Sequence, residues 1–325
     1  MVLARAGLFL YRLSSRSYDV FRWKVFKIKS IASTIGEGRL IIVMDQERLP
    51  QWVTNYLNYI QVPLKEPSYA YLTEICTAHH NRIPFENIST LLRFHEYHQT
   101  GSLQEDAKRF VDQLLQFNMG GTCYMINSSL QQLLTQLGFR SRYTLLGGGH
   151  VGLLVQLPDE EEEVYVDCGN AAPFFQPVRL MSEPDYVSAY AGIEVRLRPA
   201  GEPGTYAYYR YVDGKLQTDL LWTFDTRKTY QFDDFQPAIR QYFKPDDMFT
   251  STLRCQLWQL DQQRSLSLVN NGLSIRYIDG TVEKRVLSDL GELREVINQE
   301  FKLPKLPVEE AVNVLRQLGV DIWKE

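Results

Sequence analysis

The sequence predicts an α+β fold in three parts, on three observations. Apolar residues recur at helical spacing from Pro50 to Leu137, they alternate at strand spacing after Gly138, and further alternating segments near the C-terminus are closed by two helical ones. The parts are expected to be a helical bundle over 44–137, a mostly β-barrel domain over 138–247 and an α/β lid over 248–325.

Each element has its own local reason. Gln51 to Leu57 opens a short helix behind Pro50, and Ser68 is placed to cap a longer one from Tyr69 to about His80. Pro84, within Ile83-Pro84-Phe85-Glu86-Asn87, stops that helix. His79 and His80 then read as an exposed helix end. Ser102 is expected to cap the next helix, through Leu103 and Ala107 to Leu115. Gly120 and Gly121 free the backbone before Cys123, after which Ile126, Leu130, Leu133, Leu134 and Leu137 share one helical face. Beyond Gly138, Tyr143 to Leu146 and His150 to Leu157 read as strands. The acidic turn over 158–162 reverses the chain into Glu163 to Cys168. Strand signal continues at Thr205 to Val212 and Leu220 to Phe224, and Asp233 to Phe243 reads as a helix with Pro237 in its first turn. Four strands from Leu253 to Leu287 form a meander, with turns at Asn270-Asn271-Gly272 and Asp279-Gly280. Helices from about Asp289 to Phe301 and from Val308 to Leu318 end the chain.

Met1 to Val43 is an atypical N-terminal extension, carrying eight Lys/Arg against Asp19 and Glu37. Two readings stand: a mitochondrial-type presequence, or upstream translation ahead of a start at Met44. The second is preferred, because the segment has no sustained amphipathic period or cleavage-like pattern. With that +6 set aside, a chain of net charge -4 leaves -10 on the remainder, which argues against nucleic acid as the partner. No apolar run approaches the ~20 residues of a spanning helix, so no membrane partner is expected. Cys76, Cys123, Cys168 and Cys255 are far apart in sequence and fit a reducing, cytoplasmic setting. Of these, Cys76, Cys168 and Cys255 read as core. Five histidines with no ligand spacing give no metal site, and His95 and His98 lack a second ligand set. Nothing in the sequence sets an oligomeric state.

Cys123 stands apart because it opens a helix, where free backbone N–H groups and the helix dipole favour a thiolate. A reactive cysteine also needs a base, and a group to orient that base. On the expected hairpin, Val151, Leu153, Val155 and Leu157 share one face and His150 lies on the other; Val164 and Val166 likewise oppose Asp167. His150 and Asp167 should therefore be opposite or diagonal neighbours. Cys123, His150 and Asp167 form a candidate catalytic set.

The sequence resembles the arylamine N-acetyltransferase family from about Gln51 to the C-terminus. The resemblance is carried by Arg82-Ile83-Pro84-Phe85-Glu86-Asn87, by Gly-Gly-x-Cys-Tyr-x-x-Asn from Gly120 to Asn127, by Leu137-Gly138-Phe139, by His150 with its apolar strand, and by Val166-Asp167-x-Gly169 followed by Pro173 and Pro177. It implies the same three-part order with a cysteine-protease-like Cys-His-Asp core. In that pattern Cys123 accepts an acetyl group from acetyl-CoA, the co-substrate, His150 is its partner, and Asp167 orients His150. An arylamine or arylhydrazine would then take the acetyl group in a ping-pong sequence, with no metal. By the same resemblance Phe85 lines the substrate pocket, and Thr122 and Tyr124, which flank Cys123, are placed there too. Gly147 to Gly149 lacks the lysine and helix of a P-loop. It reads as allowing close approach near His150, making Gly148 and Gly149 candidate contacts for the acyl-CoA, or as a flexible connector. The chain departs from the family at Thr122, where a large residue is usual, at Met125, and at Asn170-Ala171-Ala172. Alternatives are a cysteine hydrolase or transglutaminase-like enzyme, an amide synthase using another thioester, and a non-catalytic binder of CoA or aromatic ligands.

Overall fold

A computed structural model of the protein describes residues 49–324, except 102, 104, 105, 159, 219 and 220. The extension over 1–43, the expected cap at Ser102 and the expected strand start at Leu220 lie outside the described residues. The first helix, α1, spans Gln51–Ile60 behind Pro50. Ser68 caps α2 (Tyr69–Arg82), its Oγ accepting from Tyr71 N at 3.1 Å. A two-residue strand β1 (Phe85–Glu86) and the short helices α3 (Ile88–Leu92) and α4 (Phe94–Thr100) follow. Asp106 caps α5 (Ala107–Phe117), so this helix starts later than expected. Helix α6 (Cys123–Gln136) ends at Gly138, whose φ of +87° lets Phe139 N return to Leu134 O at 2.9 Å.

The end of α2 differs from its expected exposure. His79 and His80 are buried, because Tyr56 of α1 closes over the first, with its Oη 2.9 Å from Nε2, and the Phe175 ring meets the second edge-on at 5.5 Å.

The central region begins with an antiparallel sheet of β2 (Arg140–Leu146), β3 (His150–Gln156), β4 (Glu163–Val166) and β5 (Val178–Arg179). A second sheet is formed by β6 (Tyr186–Tyr190), β7 (Ile193–Pro199), β8 (Thr205–Val212), β9 (Lys215–Leu216) and β10 (Trp222–Asp225). Two open sheets therefore stand where one barrel was expected. They meet along one side, where Gly147 N donates to Thr223 O at 3.1 Å and Tyr143 bridges to Tyr230. Among the described residues the other side has no ladder: β5 is only two residues long and pairs with β4 alone. Buried Tyr165, Phe174, Tyr186, Tyr208 and Phe224 fill the space between the sheets. A one-turn 3-10 helix (Phe232–Phe235) then leads into α7 (Gln236–Tyr242), with proline in its first turn.

After α8 (Met248–Ser251), the meander β11 (Arg254–Gln259), β12 (Arg264–Val269), β13 (Gly272–Tyr277) and β14 (Val282–Val286) precedes α9 (Leu290–Gln299) and α10 (Val308–Gln317). Strand β1 joins this sheet, pairing Phe85 with Gln256 and Glu86 with Cys255. Ile88 and Leu91 of α3 pack in the same core cluster as α9 and α10. The Phe85 segment is thus tied to chain about 170 residues away. Among the described residues no helix is long and apolar enough to cross a membrane, and no group of three metal-ligating side chains occurs.

Candidate active site

Strand β3 is buried on both faces, which is what places the candidate base. Leu153, Val155 and Leu157 point to the helical core with Val164 and Val166, while Leu154 and Tyr165 point to the space between the sheets. His150 shares the parity of Leu154, and Asp167 that of Tyr165. The ladder pairs Leu153 with Val166, so His150 and Asp167 are diagonal neighbours one step beyond it. His150 Nε2 lies 2.7 Å from Asp167 Oδ2, with both residues buried.

Asp167 is held on every side. Oδ2 also accepts from Tyr165 Oη at 2.7 Å, and Oδ1 accepts from Asn127 Nδ2 at 2.8 Å. Asn127 is one helical turn after Cys123 and locks the helix to the hairpin. It donates to Val151 O at 2.7 Å and accepts from the N–H groups of Cys168 and Gly169 at 3.1 Å each. Gly169 is required by close approach: a Cβ there would stand 2.7 Å from Cys123 Cα and 2.8 Å from Asn127 Nδ2.

The electrostatics follow from burial opposed by charge. Burial alone would lower the His150 pKa, but the carboxylate of Asp167 and the nearby Cys123 raise it to about 10. Burial works to raise Asp167, yet His150 and the hydrogen bonds from Asn127 and Tyr165 hold it below the usual carboxylate range. The pair is therefore charged in the folded protein, imidazolium against carboxylate.

Cys123 is 2% exposed at the first position of α6 and meets a cavity of about 470 Å³ that His150 also lines. Gly120 and Gly121 put it there. A Cβ on Gly120 would lie 2.0 Å from Pro84 O, and Gly121, at φ +135°, passes under Met125 and accepts from Glu86 N at 3.1 Å. Phe85 is in the cavity wall, its ring 6.3 Å from that of Phe249. Thr122 and Tyr124 are buried and are not in that wall; the Tyr124 hydroxyl donates to Gly149 O instead. Gly148 and Gly149 also lie outside the wall. The close approach at the triglycine is made by protein, since a Cβ on Gly147 would strike Trp222 Cδ1 at 2.7 Å.

The N-acetyltransferase family model matches residues 68–308. The chain belongs to this family. Among its N-acetyltransferase relatives, arylamine N-acetyltransferase 2 of Rattus norvegicus is 28% identical over 220 residues, which cover 58% of this chain and 71% of the relative. Arylamine N-acetyltransferase 1 of Homo sapiens is 25% identical over 265 residues, covering 71% and 86%. The fold is that of the arylamine N-acetyltransferase from Salmonella typhimurium, at TM-score 0.69 and 22% identity, with 83% of this chain and 100% of that one covered. The Mycobacterium marinum enzyme in complex with CoA superposes at TM-score 0.66 and 23% identity, covering 82% and 98%.

Several residues around this cavity were given no role from sequence. Tyr165 could have been found, being two residues before Asp167 on one strand face, and Asn127 likewise, four residues after Cys123 on one helical face. Trp222, stacked on His150 with ring centroids 5.0 Å apart and 18° between planes, carries no local signal. Nor do Tyr242, Arg210 and Arg254, which also line the cavity.

Proposed function

We propose that the protein is an arylamine N-acetyltransferase that moves an acetyl group from acetyl-CoA to an arylamine or arylhydrazine through an acetyl-Cys123 intermediate. The observation that carries this reading is the His150–Asp167 ion pair, with His150 and Cys123 in the wall of one cavity, in a chain of the N-acetyltransferase family. The donor and acceptor classes are those in the names of its relatives and of the CoA complex.

In this mechanism Nε2–H of His150 is spent on Asp167 and Nδ1 already holds the proton given up by Cys123, so an imidazolium faces a thiolate before substrate arrives. The resulting thiolate attacks the thioester carbonyl of acetyl-CoA, and backbone N–H groups at the start of α6 stabilise the oxyanion. The carbon–sulfur bond to CoA breaks, His150 returns the proton to the departing thiolate, and Cys123 retains the acetyl group. The acceptor nitrogen then attacks the acetyl-cysteine, gives its proton to His150 and leaves with the acetyl group. Asp167 stays ionised and orients the ring; general-base help of this kind contributes roughly 10²–10⁴ in rate. Residues 44–137 would supply the nucleophile, 138–247 the His–Asp pair, and 248–325 a lid over the cavity. The setting for a free thiol is reducing, as in a cytoplasm.

Incubation with acetyl-CoA alone should add one acetyl group by intact mass, absent in Cys123→Ala, and an arylamine should then remove it as the N-acetyl product. No adduct, with rapid hydrolysis of amides, would replace the transferase by a cysteine hydrolase.

A further inference from the structure

Arginines outside the catalytic set are mostly paired where they are part-buried: Arg142 with Glu163, Arg179 with Glu160, Arg264 with Glu300 and Arg276 with Asp213. Arg210 of β8 and Arg254 of β11 are in no such pair with a carboxylate among the described residues, and both line the cavity that holds Cys123 and His150. That wall contains no aspartate or glutamate. In a chain of net charge -4, the cationic side chains of this cavity wall are therefore not balanced by an acidic one within it.

The two arginines come from different sheets and line the same cavity. Arg254 is pinned to the Phe85 segment: Asn87 Oδ1 accepts from Arg254 N at 2.7 Å, and Arg254 O accepts from Asn87 N at 3.2 Å. Its Nε donates to Thr252 Oγ1 at 3.2 Å, which leaves the terminal nitrogens for another partner. Arg210 and the Asn170 side chain both offset the rise that burial gives the Tyr208 hydroxyl pKa. Burial and then the charge of Arg210 lower the Arg254 pKa, so the like charges feel each other across the cavity. Beside them Asn170, 6% exposed, lines the same wall. Two like charges, one of them part-buried, cost stability that a bound anion would recover.

We infer that Arg210 and Arg254 form an oxyanion subsite that fixes a carboxylate or phosphate group of a substrate while its reacting atom is at Cys123. The inference rests on the transferase reading for the word substrate, and on the cavity itself for the anion. A guanidinium pair, with the terminal N–H groups of Arg254 turned to no other partner among the described residues, matches either oxyanion in geometry. The group could be carried by the acceptor amine, as a carboxylate on the ring, or by the thioester donor, as its phosphates.

The test uses the full chain and equilibrium binding by calorimetry, with 4-aminobenzoate against 4-aminobenzamide and CoA against pantetheine. The wild type should prefer the anionic member of at least one pair by about tenfold or more, the scale of a charge-assisted hydrogen bond. Arg210→Gln and Arg254→Gln should each remove most of that preference while affinity for the neutral member changes less than about twofold; Arg→Lys variants should keep part of it. Loss confined to aminobenzoate assigns the subsite to the acceptor, and loss confined to CoA assigns it to the donor. No preference in either pair, or a preference that survives both Gln variants, overturns the subsite. Should a Gln variant fail to fold, the Lys variants and the salt dependence of wild-type binding decide: an anionic preference that does not weaken with salt also overturns it. Because calorimetry needs no turnover, failed acetyl transfer with the preference intact would sink the proposed function and leave this site standing.

Discussion

His150 Nε2 and Asp167 Oδ2 lie 2.7 Å apart, both side chains buried, with the imidazole pKa raised to about 10 and the carboxylate held below its usual range. Replacing the carboxylate removes both the charge and the orientation of the ring. Asp167→Asn should therefore slow acetyl loading of Cys123 by roughly 10³-fold or more. Tyr165→Phe deletes one of the three hydrogen bonds on the same carboxylate and should cost about tenfold, so the two rates in a quenched-flow mass assay should separate clearly.

The pH dependence follows with a definite sign. His150 is raised from 6.5 to about 10, so its pairing with Asp167 stabilises the fold fully below pH 6.5 and is lost as pH rises through about 10. The rate of acetyl loading should fall on the alkaline side near the same value. In Asp167→Asn that limb should move to lower pH, because the group that raises the imidazole is gone. A limb that stays in place would disconnect the two residues.

A second pair of histidines predicts acid sensitivity. Burial lowers His79 well below 6.5, and burial also lowers His80 to about 4. Between about pH 6.5 and 4 the unfolded chain binds protons that the folded one refuses, so stability falls as pH falls. His80 alone contributes on the order of 3 kcal/mol to that loss. Urea midpoints measured from pH 7.5 to 4.5 should drop, and His80→Gln should flatten the slope.

Close approach at two glycines predicts damage from a single methyl group. In Gly169→Ala the new Cβ meets Cys123 Cα at 2.7 Å, and in Gly120→Ala it meets Pro84 O at 2.0 Å. Both partners are backbone atoms that a rotamer change cannot move. Each variant should lose at least about 1–3 kcal/mol by urea unfolding, Gly120→Ala the more.

Asn127 makes four hydrogen bonds that join α6 to β3 and to the loop after β4. Asn127→Ala leaves buried partners unsatisfied and should destabilise the protein by about 3 kcal/mol or more. Acetyl loading should fall as well, measured at a temperature where circular dichroism shows the variant folded.

The chain by itself determined the local elements that carry the site. Glycines before Cys123, helical spacing after it, and alternation through β3 and β4 are short-range signals, and they suffice to put the thiol at a helix start and His150 near Asp167. The structure decided what depends on packing between distant segments. Burial of His79 and His80 needs Tyr56 and Phe175 to cover the end of α2, which no pattern within that helix records. The central strands stay as two open sheets, β5 being two residues long and paired with β4 alone, a fact of strand length and pairing that composition does not record. The cavity wall is the furthest from sequence. Phe85, Trp222, Arg210 and Arg254 come from four strands in two different sheets, and β1 reaches its partner β11 only through pairing across about 170 residues. Periodicity reports which way a side chain points from its own strand; which strand faces it is set by the cores that join the sheets.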